Sequence, residues 1–530
     1  MTPHLQSQLQ TLAGPGYADL LRRIQRGLEK ESLRITPEGR LAQTTHPTGL
    51  GSALTHASIT TDYSEALMEF ITPVDTGIEE SLETLADIHR FTYSQLGDEL
   101  LWATSMPCVV NGDDSIPVAE YGSANVARMK KVYRYGLGHR YGRLMQTIAG
   151  IHYNFSLPAD YWQRAWDDAG NAGTLQDYVT ERYLGLIRNF HRHSWLLIYL
   201  FGASPAVCAS FLRDRDTQGL EPFDATGRTL HRPWGTALRM GDLGYNSEAQ
   251  KGLNVCYNSL DNYVLALRDA IMHPHPPYQA FPAGQNGDYQ QLNDSLLQIE
   301  NEFYSTIRPK RVTQPGEAPL AALRRAGIEY VEIRCIDVSP FTPVGIDASQ
   351  IRFLDTFLLH CLLEDSPACD DTERALQAAN LSTVVNRGRE PGLRLRTTPG
   401  GDASLEALAG ELLGDMTGIA ELLDNAHASE SYCAALAAQQ AKVQDSALTP
   451  SARVLAEMRD RDLPFFRLAM AYSEHWARHF REQALSDTCR QRFEQETRQS
   501  LAAQQQLEAG DELTFEEYLA RFFGQYRTLF

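Results

Sequence analysis

The sequence predicts a mixed fold in which strands and helices alternate up to about residue 345 and helices dominate beyond it. Residues 150–157 (GIHYNFSL) alternate apolar and polar side chains, as a half-buried strand does. From Ile351 onward, apolar residues recur at helical spacing, and the later stretches SLEALAGELLGDM and FEEYLARFFGQY keep that spacing. We therefore expect residues 1–365 to carry the chemistry and residues 366–530 to form a mainly helical supporting region.

The net charge of the chain limits the kinds of partner that it can bind. The 530 residues carry a formal net charge of −19, from 67 acidic and 48 basic residues. A field of that sign repels nucleic acid and anionic membranes, so we expect neither as a partner. We also expect no obligate protein partner. The uncharged segment 194–212 (SWLLIYLFGASPAVCASFL) has the length of a membrane span, but its glycine, proline and serines favour a buried helix followed by a tight loop.

Cysteine usage and the missing motifs exclude several classes of site. The eight cysteines are scattered without a C-x-x-C pair, which gives no support to a zinc cage or a thioredoxin-type motif. The first residues lack both the basic and the apolar segments of a signal peptide, so we expect a cytoplasmic protein. No lysine follows a glycine, which excludes a Walker A loop.

Residues 26–35 (RGLEKESLRI) are the first candidate for chemistry. As a strand, this segment places Glu29 and Glu31 on one face. Neighbouring carboxylates on one face repel each other, and strands are poor in glutamate. A divalent cation between the two carboxylates would remove the conflict. An exposed edge strand with solvated charges explains the pattern equally well.

A second carboxylate pattern lies in residues 60–73 (TTDYSEALMEFITP). Glu69 stands inside the apolar run LMEFI, where burial of an unpaired carboxylate is costly. Asp62 lies seven residues earlier and could share one side of a helix with Glu69 or cap one. The β-branched end and Pro73 favour a strand, although periodicity alone leaves both open. A metal ion and an arginine partner are both compatible with Glu69.

Two further alternating segments present polar faces. In GIHYNFSL, His152 and Asn154 share the polar face, which could line a cleft or meet solvent. In residues 327–336 (GIEYVEIRCI), Glu332 and Arg334 share a face. A carboxylate and a guanidinium at that spacing can hold a metal ion and a phosphoryl oxygen, or they can pair with each other.

Basic residues are concentrated in two stretches of this acidic chain. Residues 128–143 (RMKKVYRYGLGHRYGR) contain six lysines and arginines, and RPKRV begins at residue 308. Both stretches suit phosphates, although solvated basic surfaces would look the same. Magnesium favours oxygen ligands, usually one or two carboxylates together with substrate phosphates. The carboxylates and the basic stretches together predict a site for magnesium-bound ATP.

Taken together and in this order, the segments resemble the glutamate–cysteine ligase family in its proteobacterial branch. The matching blocks lie within roughly residues 22–345: RGLEKESLR, GSALTHASITTDYSEALMEFITPVD, LMQTIAGIHYNFSLP, YLFGASPAVCASFL, LRMGDLGY, LQIENEFYSTIRPKR and GIEYVEIRCIDVSPF. The resemblance implies an α+β fold whose curved, largely antiparallel sheet forms a funnel-like active site, akin to the catalytic core of glutamine synthetase.

The resemblance also implies a reaction. The γ-carboxylate of L-glutamate would be phosphorylated by ATP, and the amine of L-cysteine would attack the γ-glutamyl phosphate. The products would be γ-glutamylcysteine, ADP and phosphate, in the first step of glutathione biosynthesis. Mg²⁺ would be the cofactor, with Mn²⁺ able to replace it.

Roles at matched positions follow from the same resemblance. The implied metal ligands are Glu29, Glu31, Asp62, Glu69, His152 and Glu332. The residues implied to hold the phosphorylated glutamyl group are Arg239 and Arg334. The implied substrate-pocket residues are Tyr63, Tyr133, Arg134, Gln146, Asn154, Tyr245 and Tyr304.

Other functions are compatible with parts of this pattern. One is a related ligase that takes ammonia, and another is a metal-dependent hydrolase that uses the same carboxylates without ATP. A non-catalytic metal-binding scaffold is a third. Arg239, Arg334 and the basic stretches speak against the scaffold, since a cation site alone does not need them.

Overall fold

The computed structural model describes residues 1–107, 109–212, 219–244, 249–250, 252–397 and 400–530, except for the side chain of Asn286. The strands in these ranges are β1 (Gln25–Ile35), β2 (Ile59–Thr61), β3 (Leu67–Ile71), β4 (Leu100–Leu101), β5 (Ile151–Ser156), β6 (Ala206–Cys208), β7 (Glu221–Pro222), β8 (Thr229–His231), β9 (Ile307–Lys310), β10 (Tyr330–Ile336), β11 (Arg394–Thr397) and β12 (Gly401–Ser404).

The α-helices of the same ranges surround these strands. They are α1 (Pro3–Leu12), α2 (Tyr17–Arg22), α3 (Ile78–Gln95), α4 (Asn125–Tyr141), α5 (Ala159–Asp168), α6 (Leu175–Phe201), α7 (Leu260–Met272), α8 (Pro319–Ala326), α9 (Ala348–Leu363), α10 (Asp371–Arg387), α11 (Leu405–Asp415), α12 (Thr417–His427), α13 (Ser431–Gln444), α14 (Pro450–Asp460), α15 (Phe465–Glu482), α16 (Asp487–Ala509) and α17 (Phe515–Arg527).

The main sheet of the described residues has the strand order β2-β3-β1-β5-β10-β9, and β4 pairs with the end of β1. All of its pairings are antiparallel. The predicted α+β class with a largely antiparallel sheet is therefore confirmed. The predicted strand at residues 26–35 is β1, which lies between β3 and β5 and is not an exposed edge. Residues 60–73 contain two strands rather than a helix.

The register of the sheet collects the polar side chains on one face. Glu29 of β1 pairs with His152 of β5, and Glu31 pairs with Glu69 of β3. Directly opposed like charges destabilise an antiparallel pair. The Glu31–Glu69 pair therefore needs a compensating cation or a proton, and a β-sheet built only for stability would not place it there.

The opposite face of the sheet packs into the main core. Leu28, Tyr153 and Ile333 are fully buried there against α3, α6 and α9. Charged side chains of β1 also lie on this side. Arg26 forms a buried ion pair with Asp355 of α9 at 2.6 Å.

Lys30 is another charged side chain of the core face. Its Nζ lies 2.8 Å from Nε2 of His89 on α3, and both side chains are buried. The His89 ring is stacked on Phe480 of α15 and tilted against Phe70 of β3. Burial lowers the pKa of Lys30 to about 7.

The helices behind the sheet agree with the sequence analysis. Residues 194–201 form the end of α6 and are buried, and β6 follows within five residues, so the expected buried helix with a tight loop is present. Asp347 caps α9 by accepting a hydrogen bond from the backbone N–H of Gln350 at 2.8 Å. No helix in the described part of the chain has the length and apolarity needed to cross a bilayer.

The helices beyond residue 365 share the core of the sheet. α10 packs on α6, α13 packs on α9, and α15 packs on α3. Buried apolar residues of both regions meet in the main hydrophobic cluster, which includes residues from Leu5 to Leu529. α17 lies farther round and packs on α4 and α8.

Candidate active site

A cavity of about 740 Å³ opens over the polar face of the main sheet. Strands β1, β2, β3, β5, β9 and β10 form its floor, and α4, α17 and the segment before β9 form its walls. Most of the predicted site residues line it. They are Glu29, Asp62, Tyr63, Glu69, Tyr133, Arg134, Gln146, His152, Tyr304, Glu332 and Arg334.

His152 is the centre of the acidic cluster. Its Nδ1 lies 3.0 Å from Oε2 of Glu29 and 3.7 Å from Oε1 of Glu332. Its Nε2 lies 3.7 Å from Oε1 of Glu31. The ligand atoms of Glu29, His152 and Glu332 all lie within 4.8 Å of one another, which is close enough to share one metal ion. This arrangement follows from the pairing of β5 between β1 and β10.

Simultaneous ionisation of the carboxylates around Glu69 is unfavourable, because they are buried close together. Burial and the charges of Glu29, Asp62 and Glu31 raise the pKa of Glu69 well above its ordinary value. Burial and the charge of Asp62 also raise the pKa of Glu31. Like charges in a poorly solvated site have this effect on each other. A divalent cation would reverse it, because oxygen-rich donors of this kind are the ligands that Mg²⁺ prefers.

Glu332 lies at the basic side of the cluster. Its Oε1 is 3.2 Å from Nη1 of Arg334 and 3.5 Å from Nζ of Lys310. Burial opposes ionisation of Glu332, but the charges of Lys310 and Arg334 hold its pKa well below the ordinary range. Its second oxygen, Oε2, is buried without a hydrogen-bond partner among the described residues. A fully ionised carboxylate with a free oxygen is well suited to a cation ligand.

Arg239 lies beneath the cavity rather than in its lining. It belongs to a short 3-10 helix, Leu238–Met240, and is 2% exposed. Its Nη2 donates a hydrogen bond to the backbone carbonyl of Arg334 at 2.8 Å. A Cβ on Gly150 would lie only 2.0 Å from that nitrogen, so the position of the guanidinium requires a glycine there. The backbone N–H of Gly150 in turn donates to Oε2 of Glu31 at 2.6 Å.

Aromatic and amide groups form the wall opposite the carboxylates. The hydroxyl of Tyr63 is buried and has no hydrogen-bond partner among the described residues, whereas the side chain of Gln146 is hydrogen-bonded to Tyr304. Burial raises the pKa values of Tyr63, Tyr133 and Tyr304, so all three phenols are hydrogen-bond donors at neutral pH. An unpaired buried donor beside a cavity indicates a polar ligand. Tyr245, predicted for this wall, lies outside the described residues.

Asn154 lines a second cavity, of about 520 Å³, instead of the first one. Its Nδ2 donates to Oε1 of Glu29 at 2.8 Å. Glu29 and Ile71 line both cavities and form the boundary between them. The second cavity has mainly apolar and aromatic walls, including Trp162 and Tyr330. The two cavities therefore meet at the acidic cluster.

Several cavity residues were not assigned by the sequence analysis. Arg308 and Lys310 of β9 belong to the basic stretch RPKRV, and Arg308 pairs with Glu332 across the sheet. The alternation of RPK could have indicated that both point to one face. Tyr518 and Phe522 of α17 also line the cavity, although no site residue was expected beyond 365. No local signal distinguishes these two from other apolar residues of an amphipathic helix.

The chain is similar in sequence to a family of known enzymes. The family described as glutamate–cysteine ligase matches residues 9–384. The glutamate–cysteine ligase of Alcanivorax borkumensis is 50% identical over 525 residues, which cover 98% of this chain and 99% of that protein. That of Pseudomonas putida strain W619 is 52% identical over 503 residues, or 95% of each chain.

A crystal structure gives the same result. The glutamate–cysteine ligase from Francisella tularensis in complex with AMP has a TM-score of 0.89 and 34% sequence identity, covering 96% of this chain and 99% of that one. The resemblance seen in the sequence is therefore confirmed over nearly the whole length. The chain belongs to the glutamate–cysteine ligase family.

Proposed function

We propose that the protein uses ATP to join the γ-carboxylate of L-glutamate to the amine of L-cysteine, through a γ-glutamyl phosphate. The observation that carries the proposal is the position of the acidic cluster, at the boundary between two cavities. A ligase of this kind has to bring a nucleotide and two amino acids to one point. The chain offers two cavities that meet at Glu29.

The nucleotide is assigned to the cavity of about 520 Å³. Its walls of Trp162, Leu175 and Tyr330 suit a flat aromatic base. The phosphates would then extend toward Glu29 at the cavity boundary. The related enzyme from Francisella tularensis binds AMP, which supports a nucleotide site in this fold.

Magnesium fits the acidic cluster. The residues that would hold it are Glu29, Glu31, Asp62, Glu69, His152 and Glu332, and their mutual repulsion is the property that argues for a cation. When bound, Mg²⁺ neutralises phosphate charge and aligns the reacting oxygens. The protein's own contribution is to hold this set of ligands rigidly on paired strands.

The basic residues of β9 and β10 can balance the negative charge of the substrate's phosphoryl and carboxylate groups. Arg334 and Lys310 face the cavity beside Glu332, where they can hold the phosphoryl oxygens and the γ-carboxylate. Arg239 fixes the backbone of Arg334 from below. Phosphoryl transfer needs positioning and charge neutralisation rather than a protein nucleophile, and this set of residues provides both.

The cysteine is assigned to the aromatic wall. Tyr63, Tyr133 and Tyr304 offer phenol donors for its carboxylate and ring faces for its thiol. Ammonia would leave the buried hydroxyl of Tyr63 unpaired, and a site built for hydrogen bonds discriminates strongly against a ligand that lacks the matching groups.

The test is to supply the purified protein with ATP, Mg²⁺ and L-glutamate and to add one amine at a time. We expect ADP release and an amide product with L-cysteine, a weaker reaction with L-2-aminobutyrate, and none with ammonia. The methyl group of 2-aminobutyrate replaces the thiol at a cost of roughly 1–3 kcal/mol. Glutamine formation at a rate close to that of the cysteine reaction, or ADP release without glutamate, would contradict the proposal.

A further inference from the structure

A second group of metal-type side chains lies away from the active site. Among the described residues, two groups of histidine and carboxylate side chains are close enough to hold a metal ion. One is the active-site group, and the other consists of His193, His360 and Glu364. His193 lies on α6, His360 lies in the last turn of α9, and Glu364 is the C-cap of α9. None of the three lines the active-site cavities.

The geometry of this group is that of a metal site. Nε2 of His193 lies 2.7 Å from Oε2 of Glu364, and Nε2 of His360 lies 3.5 Å from the same oxygen. The three ligand atoms all lie within 4.8 Å of one another. Tetrahedral zinc with bonds of about 2.0–2.1 Å needs ligand atoms roughly 3.4 Å apart. Small side-chain rotations would bring the three atoms to that spacing.

His360 is the observation that points to a ligand. It is 1% exposed, and neither of its ring nitrogens has a hydrogen-bond partner among the described residues. A buried imidazole without a partner loses the hydrogen bonds it makes in water, which destabilises the folded state. Its Nε2 is nevertheless directed toward Glu364. A bound cation would satisfy this nitrogen, whereas a simple His193–Glu364 hydrogen bond leaves it unsatisfied.

The ionisation of the group also suits a metal. Burial and the charge of His193 lower the pKa of His360 to about 4, so its imidazole is neutral at physiological pH. Burial opposes ionisation of Glu364, but the hydrogen bond from His193 holds its pKa below the ordinary value. Neutral imidazole and ionised carboxylate are the forms that bind metals. The side chains of His193 and Glu364 are 19% and 27% exposed, which leaves a path from solvent.

The neighbouring charges do not oppose a cation. Arg192 lies close, but its guanidinium is paired with Glu373 at 2.6 Å. The Asp415 carboxylate and the N-terminal amine both act on His360, and they pair with each other at 2.5 Å. Both His360 and Glu364 also lie at the C-terminal end of α9, where the helix dipole favours positive charge.

We propose that His193, His360 and Glu364 form a second metal site, which takes a borderline transition-metal ion such as Zn²⁺ and ties α6 to α9. Two imidazoles and one carboxylate are typical zinc ligands, whereas Mg²⁺ prefers an all-oxygen set. Three protein ligands leave a fourth position for water. Since α6 packs on β9 and β10, the bound ion would stabilise the helix layer behind the active site.

The test is zinc binding by untagged protein in which the active-site group has been disabled by His152→Ala. Equilibrium dialysis against Zn²⁺ with excess Mg²⁺ should leave one bound zinc per chain, and zinc should raise the thermal midpoint. Adding His193→Gln should abolish both effects. Adding His475→Gln, at an exposed histidine of α15, should abolish neither. X-ray absorption of the bound zinc should show two imidazole ligands.

Two further measurements keep the test decisive. Glu364→Gln is the alternative to His193→Gln if that variant does not fold, and ligase activity with Mg²⁺ in the otherwise wild-type protein is the check on folding for both. We expect that activity to remain close to wild type. The proposal is overturned if the His152→Ala protein binds no zinc, or if zinc binding survives both His193→Gln and Glu364→Gln.

Discussion

Replacement of Lys30 by methionine should stabilise the protein. Lys30 is a buried ammonium group on the core face of β1, and its only hydrogen bond among the described residues is with His89. Its pKa of about 7, lowered by burial from 10.5, measures how strongly the core disfavours the charge. At about 1.4 kcal/mol per pKa unit, the charged form costs about 5 kcal/mol in the folded state.

The loss of the hydrogen bond offsets part of the free energy that Lys30→Met gains by removing the buried charge. Methionine fills a similar volume, but it removes the hydrogen bond and leaves Nε2 of His89 unpaired, at a cost of about 1–3 kcal/mol. The net stabilisation of Lys30→Met near pH 7 is therefore about 2–4 kcal/mol. The sign of the pH dependence follows from the lowered pKa. Between pH 7 and pH 10.5 the unfolded chain keeps a proton that the folded chain has released, so wild-type stability rises with pH in this window.

The assay is urea unfolding followed by tryptophan fluorescence, at about pH 7 and about pH 9.5, with Lys131→Met as the control. Lys131 is 31% exposed and pairs with Glu120, so its replacement should change stability by less than about 1 kcal/mol. The difference between Lys30→Met and wild type should shrink at the higher pH. A destabilised variant near pH 7, or a difference that does not depend on pH, would refute the reasoning.

Four further variants test other parts of the molecule. Glu69→Gln should raise the melting temperature of metal-free protein, more at pH 8 than at pH 5 because the raised pKa makes the charged form costly, while Mg²⁺-dependent activity falls. Glu332→Gln should abolish turnover and, by removing the carboxylate charge beside Lys310 and Arg334, cost about 1–3 kcal/mol in urea unfolding. His152→Ala should reduce activity with Mn²⁺ more than with Mg²⁺ in steady-state assays, since imidazole is a better ligand for manganese. Asp355→Asn, which removes the charged partner of the buried Arg26, should cost about 3–5 kcal/mol in the same unfolding assay. An unchanged midpoint would mean that this ion pair contributes nothing to stability.

The sheet could be predicted where the alternation of side chains is long. β1, β5 and β10 each contain several alternating residues, and all three were recognised as strands. Residues 60–73 were ambiguous, because the apolar run around Glu69 is too short for its period to separate helix from strand. What excludes the helix is the pairing of β3 with β1, which a local pattern does not contain.

The site could be predicted only in part for the same reason. Alternation tells which residues share a face, and so it grouped Glu29 with Glu31, but it does not tell which strands are neighbours. The order of the strands decides where the boundary between the two cavities lies, and therefore which cavity Asn154 lines. Tyr518 and Phe522 reach the cavity from a helix almost 500 residues along the chain from β1, and only tertiary packing reveals them.

Because β1 contributes one face to the active site and the other to the core, its length is constrained in evolution. Its odd positions, Glu29 and Glu31, lie on the face of the acidic cluster, and its even positions, Leu28 and Lys30, face the core. A one-residue insertion or deletion inside the strand would exchange the two faces beyond it, placing carboxylates in the core and apolar side chains in the cavity. Such a change would damage folding and catalysis at once. Selection on either property alone is therefore enough to keep the length of β1 fixed. A single substitution, in contrast, changes only one of the two faces.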